Sequence, residues 1–198
     1  MESLPTFHTD RLLLTPLQLS DAPDIQRCFP HWDVVRYLDS RVPWPYPEDG
    51  ALTYVRDVAL PAIEAGKEWH WMIRLAADPT HSIGSICLYD QPGNHRGFWL
   101  SPPWQGNGYI REACEVINAY WFETLKRPLM QVPKAAGNQA SRRVSEREGM
   151  RRIDVREGSF VGGPMLKETW ELTREEWLRE HSRPLQEQRG RPSGGAIG

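Results

Sequence analysis

Apolar and polar positions alternate across residues 69–75, where Trp69, Trp71, Ile73 and Leu75 interleave with His70, Met72 and Arg74. A period of two predicts a strand with one strongly apolar face. Asp78-Pro79-Thr80 is expected to turn this strand into a second at residues 83–89, and Gln91-Pro92-Gly93-Asn94 to turn that one into a third at 95–100. Three consecutive antiparallel strands are the expected centre. A leucine-rich stretch at 11–17 precedes them as a further strand.

Helical spacing appears elsewhere. Ser20 or Asp21 is placed to cap a short helix ending near Phe29, and residues 31–38 predict another. Pro43-Trp44-Pro45-Tyr46-Pro47 then forbids regular structure. Leu52, Val55, Val58 or Ala59, and Ile63 recur at helical spacing, with Pro61 expected to kink the last turn. Ala113, Val116 or Ile117, Tyr120 and Leu125 give one face of the strongest helix. Short strands at 129–132, 150–155 and 165–172 surround a helix at 138–148, and a final helix is expected from 173 to about 180. One domain over residues 1–182 follows, with 183–198 a Gly-, Pro-, Arg- and Gln-rich tail that buries little and is expected to be flexible.

Composition narrows the function. A chain of 198 residues with 39% hydrophobic and 25% charged residues is that of one globular domain. A formal net charge of -2 supplies no long-range field for nucleic acid or an acidic membrane. Cys28, Cys87 and Cys114 are isolated and lack metal-ligand spacing, so they are expected to be buried thiols in a reducing compartment, with no metal. No run approaches a membrane span and no signal-like start is present, which implies a cytoplasmic protein.

The chemistry concentrates at Gln105-Gly106-Asn107-Gly108-Tyr109-Ile110, between a strand and a long amphipathic helix. A helix N-terminus leaves amide groups unpaired and partially positive, and glycines let backbone approach an anion. Neither a dinucleotide-type glycine pattern nor a P-loop lysine is present, which disfavours nucleotide hydrolysis. Taken alone, the turn is equally an ordinary tight connection.

Three segments together carry a resemblance. Thr9-Asp10-Arg11-Leu12-Leu13-Leu14, then Trp99-Leu100-Ser101-Pro102 with Gln105-Gly106-Asn107-Gly108-Tyr109 and Glu112-Ala113, then Asn138-Gln139-Ala140-Ser141 running to Glu148-Gly149-Met150 resemble, in order and spacing, the GNAT superfamily. The branch is similar to the RimJ/RimL-type ribosomal-protein N-terminal alanine acetyltransferases, over residues 9–177. The resemblance implies an α+β acyl-CoA N-acyltransferase fold, a mixed and mostly antiparallel sheet of six or seven strands flanked by helices. It also implies acetyl-CoA as cosubstrate. The amides of Gly106 to Ile110 would hold its pyrophosphate, the strand with Phe98, Trp99 and Leu100 would pair with its pantetheine arm, and Asn138 would hydrogen-bond that arm. Ile110 stands where the family has Gly or Ala, and Arg111 offers a phosphate contact or a solvated helix-surface arginine.

Acetyl transfer needs a neutral amine, a stabilised oxyanion and a protonated leaving thiolate. A backbone N–H near Phe98 to Leu100 would serve the oxyanion, such a donor being worth about 3 kcal/mol of barrier. His95 stands where the branch often has a Glu, and an imidazole suits a base at neutral pH, although an exposed histidine past a turn is the plainer alternative. By resemblance Ser141 would face the sulfur; capping or solvation of a first-turn hydroxyl is the alternative. Trp32, Tyr37, Trp44, Tyr46 and Phe160 are candidates for an aromatic acceptor wall. The resemblance implies an acceptor that is a protein N-terminus or a small-molecule amine, with direct ternary-complex transfer expected in a monomer or homodimer. A module that keeps the fold and binds CoA without turnover, or not at all, is the competing expectation.

Overall fold

The computed structural model describes residues 4–181, so the expected tail at 183–198 lies outside the described residues. In chain order the elements are β1 (Phe7–His8), β2 (Leu12–Pro16), α1 (Ala22–Cys28), α2 (Trp32–Val35) and α3 (Gly50–Tyr54). A π-wound stretch (Val55–Ala59) joins α3 to α4 (Leu60–Glu64), ahead of Pro61, which has no N–H to give the preceding turn. Then come β3 (Glu68–Leu75), β4 (Asp78–Tyr89), β5 (Arg96–Leu100), α5 (Tyr109–Ala119), β6 (Leu129–Ala135), α6 (Gln139–Arg147), β7 (Arg151–Phe160), β8 (Gly163–Thr173) and α7 (Arg174–His181). Among the described residues no helix is long and apolar enough to cross a membrane.

The strands form two antiparallel sheets, β1-β2-β3-β4-β5 and β6-β8-β7, eight strands where six or seven in one sheet were expected. Two smaller expectations also shift. The turn after β3 falls at residues 76–77 and β4 begins at Asp78, because Arg74 Nη1 takes the carbonyls of Pro79 and Thr80 and holds a shifted register there. β3 is buried on both faces rather than one: Trp71 and Ile73 face one core, while Met72 faces another and His70 is 3% exposed.

These two cores sandwich the larger sheet. On one face α5 lays Ala113, Cys114 and Ile117 against Leu14, Trp71, Ile86 and Leu100, and Met130 and Val132 of β6 extend the same cluster. On the other, α1 and the α3–α4 segment bury Ile25, Ala51, Val55 and Ala59 against Met72, with Trp99 partly buried beside them. All three cysteines are free and buried.

The sheets meet at one end only. His95 N–H donates to Gln131 O at 2.8 Å, and Gln131 N–H donates to His95 Nδ1 at 2.8 Å. Both polar groups of Gln131 thus face β5, so alternation turns those of Pro133 the same way. Proline has no N–H to pair with β5. Among the described residues no backbone hydrogen bond joins the strands beyond this clasp, and they splay.

A charged group braces the splay from the α5 side. The fully buried Arg96 side chain donates from Nη1 and Nη2 to the Glu148 carboxylate, both at 2.8 Å, and from Nη1 to Asn118 Oδ1. Asn118 Nδ2 donates to the same carboxylate at 3.1 Å. β5, α5 and the end of α6 are tied by one ion pair. Breaking a buried pair from one side strands the other charge, so Glu148→Ala is expected to cost about 3–5 kcal/mol. Urea unfolding checks this, and the double variant R96M/E148L should recover most of the loss.

Candidate functional site

The turn that leads from β5 into α5 has the shape an anion needs. Gly106 and Gly108 both sit at φ 80°, a conformation that costs other residues but not glycine, and Gly108 is the N-cap of α5. Among the described residues none accepts a hydrogen bond from the N–H groups of residues 106–111. Six consecutive amides therefore face outward at the positive end of a helix. Asn107 Nδ2 donates to the carbonyls of Trp104 and Gln105, and Gln105 Nε2 donates to Leu100 O at 2.9 Å, which fixes the turn to the end of β5.

A second brace comes from the chain's beginning. Arg11 Nε donates to Glu112 Oε2 at 2.7 Å, its backbone N–H to Glu112 Oε1 at 2.9 Å, and its Nη1 to Asn107 O at 3.0 Å. Thr9 Oγ1 donates to the same carboxylate, and the guanidinium covers the Tyr109 ring at 4.8 Å. Burial alone would raise the Glu112 carboxyl, but the bonds from Thr9 and Arg11 outweigh it and hold the group below its ordinary value. Ile110 is partly buried against the main core, so its side chain serves packing rather than crowding the amides. Arg111 is exposed.

From this turn the gap runs back along β5. Tyr89 N–H bonds His95 O and Ser101 N–H bonds Ile83 O, so alternation commits Gly97 and Trp99 to β4. The N–H and C=O of Phe98 and the N–H of Leu100 therefore face the gap. Across it, Asn138 caps α6: its Oδ1 accepts from Ser141 N–H at 3.1 Å, leaving Nδ2 available. Ser141 is half-buried in the first turn of that helix.

His95 differs from its expected role as a base. Its Nδ1 accepts from a backbone amide, so the neutral ring carries its proton on Nε2 and keeps no free lone pair. Burial lowers its pKa, with Asp90 opposing and Arg127 adding, which favours this neutral form. The aromatic candidates are scattered. Trp32 and Trp44 pair at 5.6 Å on the surface, Tyr46 packs on Phe29, which packs on Trp99, and Tyr37 lies under Arg36 beside Gly137. Phe160 is buried and bridged to Asp39, so it packs the β7–β8 hairpin instead of lining an open wall.

Lys134 was not legible as a site residue, although a lysine in phase with Met130 and Val132 on β6 was a signal. Its Nζ donates to Ser141 O at 3.0 Å and to Ser145 Oγ, strapping α6 to β6. Burial lowers it to about 7, with Arg96 adding and Glu148, Cys114 and Glu168 opposing. The unfolded chain holds this proton up to its ordinary value of 10.5, so between pH 7 and 10 unfolding takes up a proton and stability rises with pH. Below pH 7 the full penalty of the buried charge is present.

Two measurements follow. Urea unfolding at pH 7.0 and 9.5 should show the parent gaining on Lys134→Met by up to about 1.4 kcal/mol per pH unit. Gly108→Val places a branched side chain at positive φ, 3.5 Å from Arg11 Nη2, and should weaken CoA binding on the order of tenfold by calorimetry.

Comparison with known proteins agrees with this geometry. A model of the "Acetyltransferase (GNAT) domain" matches residues 11–151. The chain is 33% identical over 84 residues to "Putative ribosomal N-acetyltransferase YdaF" of Bacillus subtilis (strain 168), covering 38% of this chain and 46% of that relative, so the match spans about half the relative's length. Two solved structures share the fold at 14% identity. One is RimL, a ribosomal L7/L12 alpha-N-protein acetyltransferase in complex with coenzyme A, at TM-score 0.72 over 85% of this chain and 97% of that one. The other is a ribosomal-protein-S5-alanine acetyltransferase from Vibrio fischeri, at TM-score 0.73 over 87% and 98%. With a family model matching more than half its length, on a sheet that splays beside a glycine-rich helix N-terminus, the chain belongs to the GNAT acetyltransferases.

Proposed function

We propose that the protein transfers the acetyl group of acetyl-CoA to the α-amine of a protein N-terminus. The observation that carries this is the run of six unpaired amides at residues 106–111, opening onto a gap that β5 and β6 leave unpaired. Two glycines at positive φ give the backbone close access to a pyrophosphate, and Arg111 adds an exposed cation beside it. The residues therefore fit coenzyme A. When bound, it supplies an activated thioester as acetyl donor.

The chain's own groups would divide the work as follows. The amides of residues 106–111 hold the pyrophosphate, and the outward N–H and C=O of Phe98, with Asn138 Nδ2, align the arm along the gap. β5 spans about 17 Å at 3.4 Å per residue, which sets the reacting end near the clasp at His95 and Gln131. The Phe98 N–H is the donor nearest that end and serves the oxyanion. Ser141 has its N–H and C=O engaged and its hydroxyl free to protonate the leaving thiolate.

The choice of a protein N-terminus over a small amine is supported by what the similar proteins are named for, ribosomal-protein acetylation, and by the exposed Trp32–Trp44 pair. Two departures motivate the non-catalytic alternative, Ile110 in the glycine turn and His95 where the branch often has a Glu; Ile110 packs inward, while the second departure stands. The test is acetylation of a panel of free-amine N-terminal peptides, followed by mass spectrometry, beside a panel of small amines. Transfer to peptides with about tenfold or greater preference in kcat/KM supports the assignment. CoA binding without transfer to any amine would replace it with the non-catalytic module.

A further inference from the structure

The gap has two faces, and the buried charged groups described so far occupy one. α5 and α6 both lie on the side to which Arg96 and Lys134 point, because Arg96 reaches Asn118 and Glu148 and Lys134 reaches Ser145. A ternary complex needs the acceptor to arrive from the opposite face. There the strand register assembles a polar group that the sequence does not announce. Glu68 is paired with Tyr89, His70 with Cys87, and Cys87 with Gly97. Trp69 and Trp71 belong to the α5-side core, so Glu68 and His70 face away from it.

The hydrogen bonds in this group run in one direction. Cys87 Sγ donates to Gly97 O at 3.4 Å. With the thiol proton used there, the 2.7 Å contact between Tyr89 Oη and Cys87 Sγ is one in which the hydroxyl donates. The oxygen's lone pairs are left free. A Cβ built on Gly97 would come 3.1 Å from Tyr89 Oη, so the hydroxyl lies over a residue with no side chain, next to the gap-facing amide of Phe98. Glu68 Oε2 lies 2.6 Å from His70 Nε2, and Glu68 keeps 26% of its side chain exposed while His70 keeps 3%.

We propose that the Tyr89 hydroxyl seats the acceptor's amine over Gly97 by accepting one of its N–H bonds, and that the Glu68–His70 pair takes the proton the amine loses. This rests on the amine-acetylation reading. The balance is simple: an ammonium loses two protons as its nitrogen bonds the acetyl carbon and the carbon–sulfur bond breaks. One proton leaves with the thiol, and the other crosses the roughly 10 Å from β5 to β3 through solvent on that face, reaching Glu68 at its exposed edge. The titratable groups facing the pair are Cys87 and Tyr89 on β4 and Tyr54 on α3. Burial pushes the Cys87 thiol up to about 12 and Tyr89 well above its ordinary value, so both stay protonated and neither takes the proton itself.

Glu68→Gln and Tyr89→Phe test this in the full chain. For E68Q, kcat/KM for an N-terminal peptide should fall about 10²-fold at pH 6.5. The defect should shrink towards pH 9, where an α-amine of ordinary pKa about 8 is already neutral. Glu68→Asp should restore part of the rate. Y89F should raise KM for the peptide more than it lowers kcat. Calorimetry gives a readout that needs no turnover: E68Q should bind a free-amine peptide more weakly at pH 6.5, with affinity for CoA and for the N-acetylated peptide unchanged. An E68Q rate and pH profile equal to the parent's would overturn the proposal, as would a rate loss matched by lost CoA affinity. A parent protein that acetylates no amine would overturn the function itself, and this inference with it.

Discussion

Everything at the site depends on two neighbouring strands that begin as partners and then cannot continue. β5 and β6 are joined by the reciprocal bonds of His95 and Gln131, and the next gap-facing position on β6 is Pro133, which has no N–H to offer. Pairing stops there. The backbone groups of Phe98 and Leu100 are left facing an opening instead of a ladder, and unpaired backbone groups in a protein interior call for a partner. An extended arm with amide groups of its own would satisfy that requirement.

An opening of this kind would close or collapse unless its walls were held apart. Arg96, Asn118 and Glu148 tie β5 to both flanking helices, and Lys134 ties β6 to α6 through Ser141 and Ser145. These buried charges are costly to desolvate, and an apolar replacement of equal volume would be no less stable in general. Their placement at the walls of the splay, rather than deep in either core, links them to its shape. The Arg11–Glu112 brace does the same for the mouth, anchoring the glycine turn to the start of β2.

The two faces of the larger sheet are chemically unlike. The α5 side presents a helix N-terminus, six outward amides and cationic groups, suited to a polyanion. The opposite side presents a glutamate, a histidine, a tyrosine and a thiol at adjacent register positions. Strand alternation alone separates them, because consecutive residues of β3, β4 and β5 point to opposite faces.

Most elements were legible in the sequence, because period-two and helical spacing survive in each segment and Gly106, Gly108 and Asn138 sit where only local geometry matters. The backbone of the glycine turn and the cap of α6 depend on neighbours a few residues away. What the sequence could not give was partnership across distance. β1 is only two residues long, and the join between the two sheets is a clasp between positions 95 and 131. His95 looked like a base because its type and place fitted one, and only the tertiary structure assigns its lone pair to Gln131. Glu68, His70, Cys87 and Tyr89 are unremarkable alternating residues on two strands until register sets them side by side. Local backbone preference is written in the chain; which side chains meet, and which lone pairs remain free, is decided by packing.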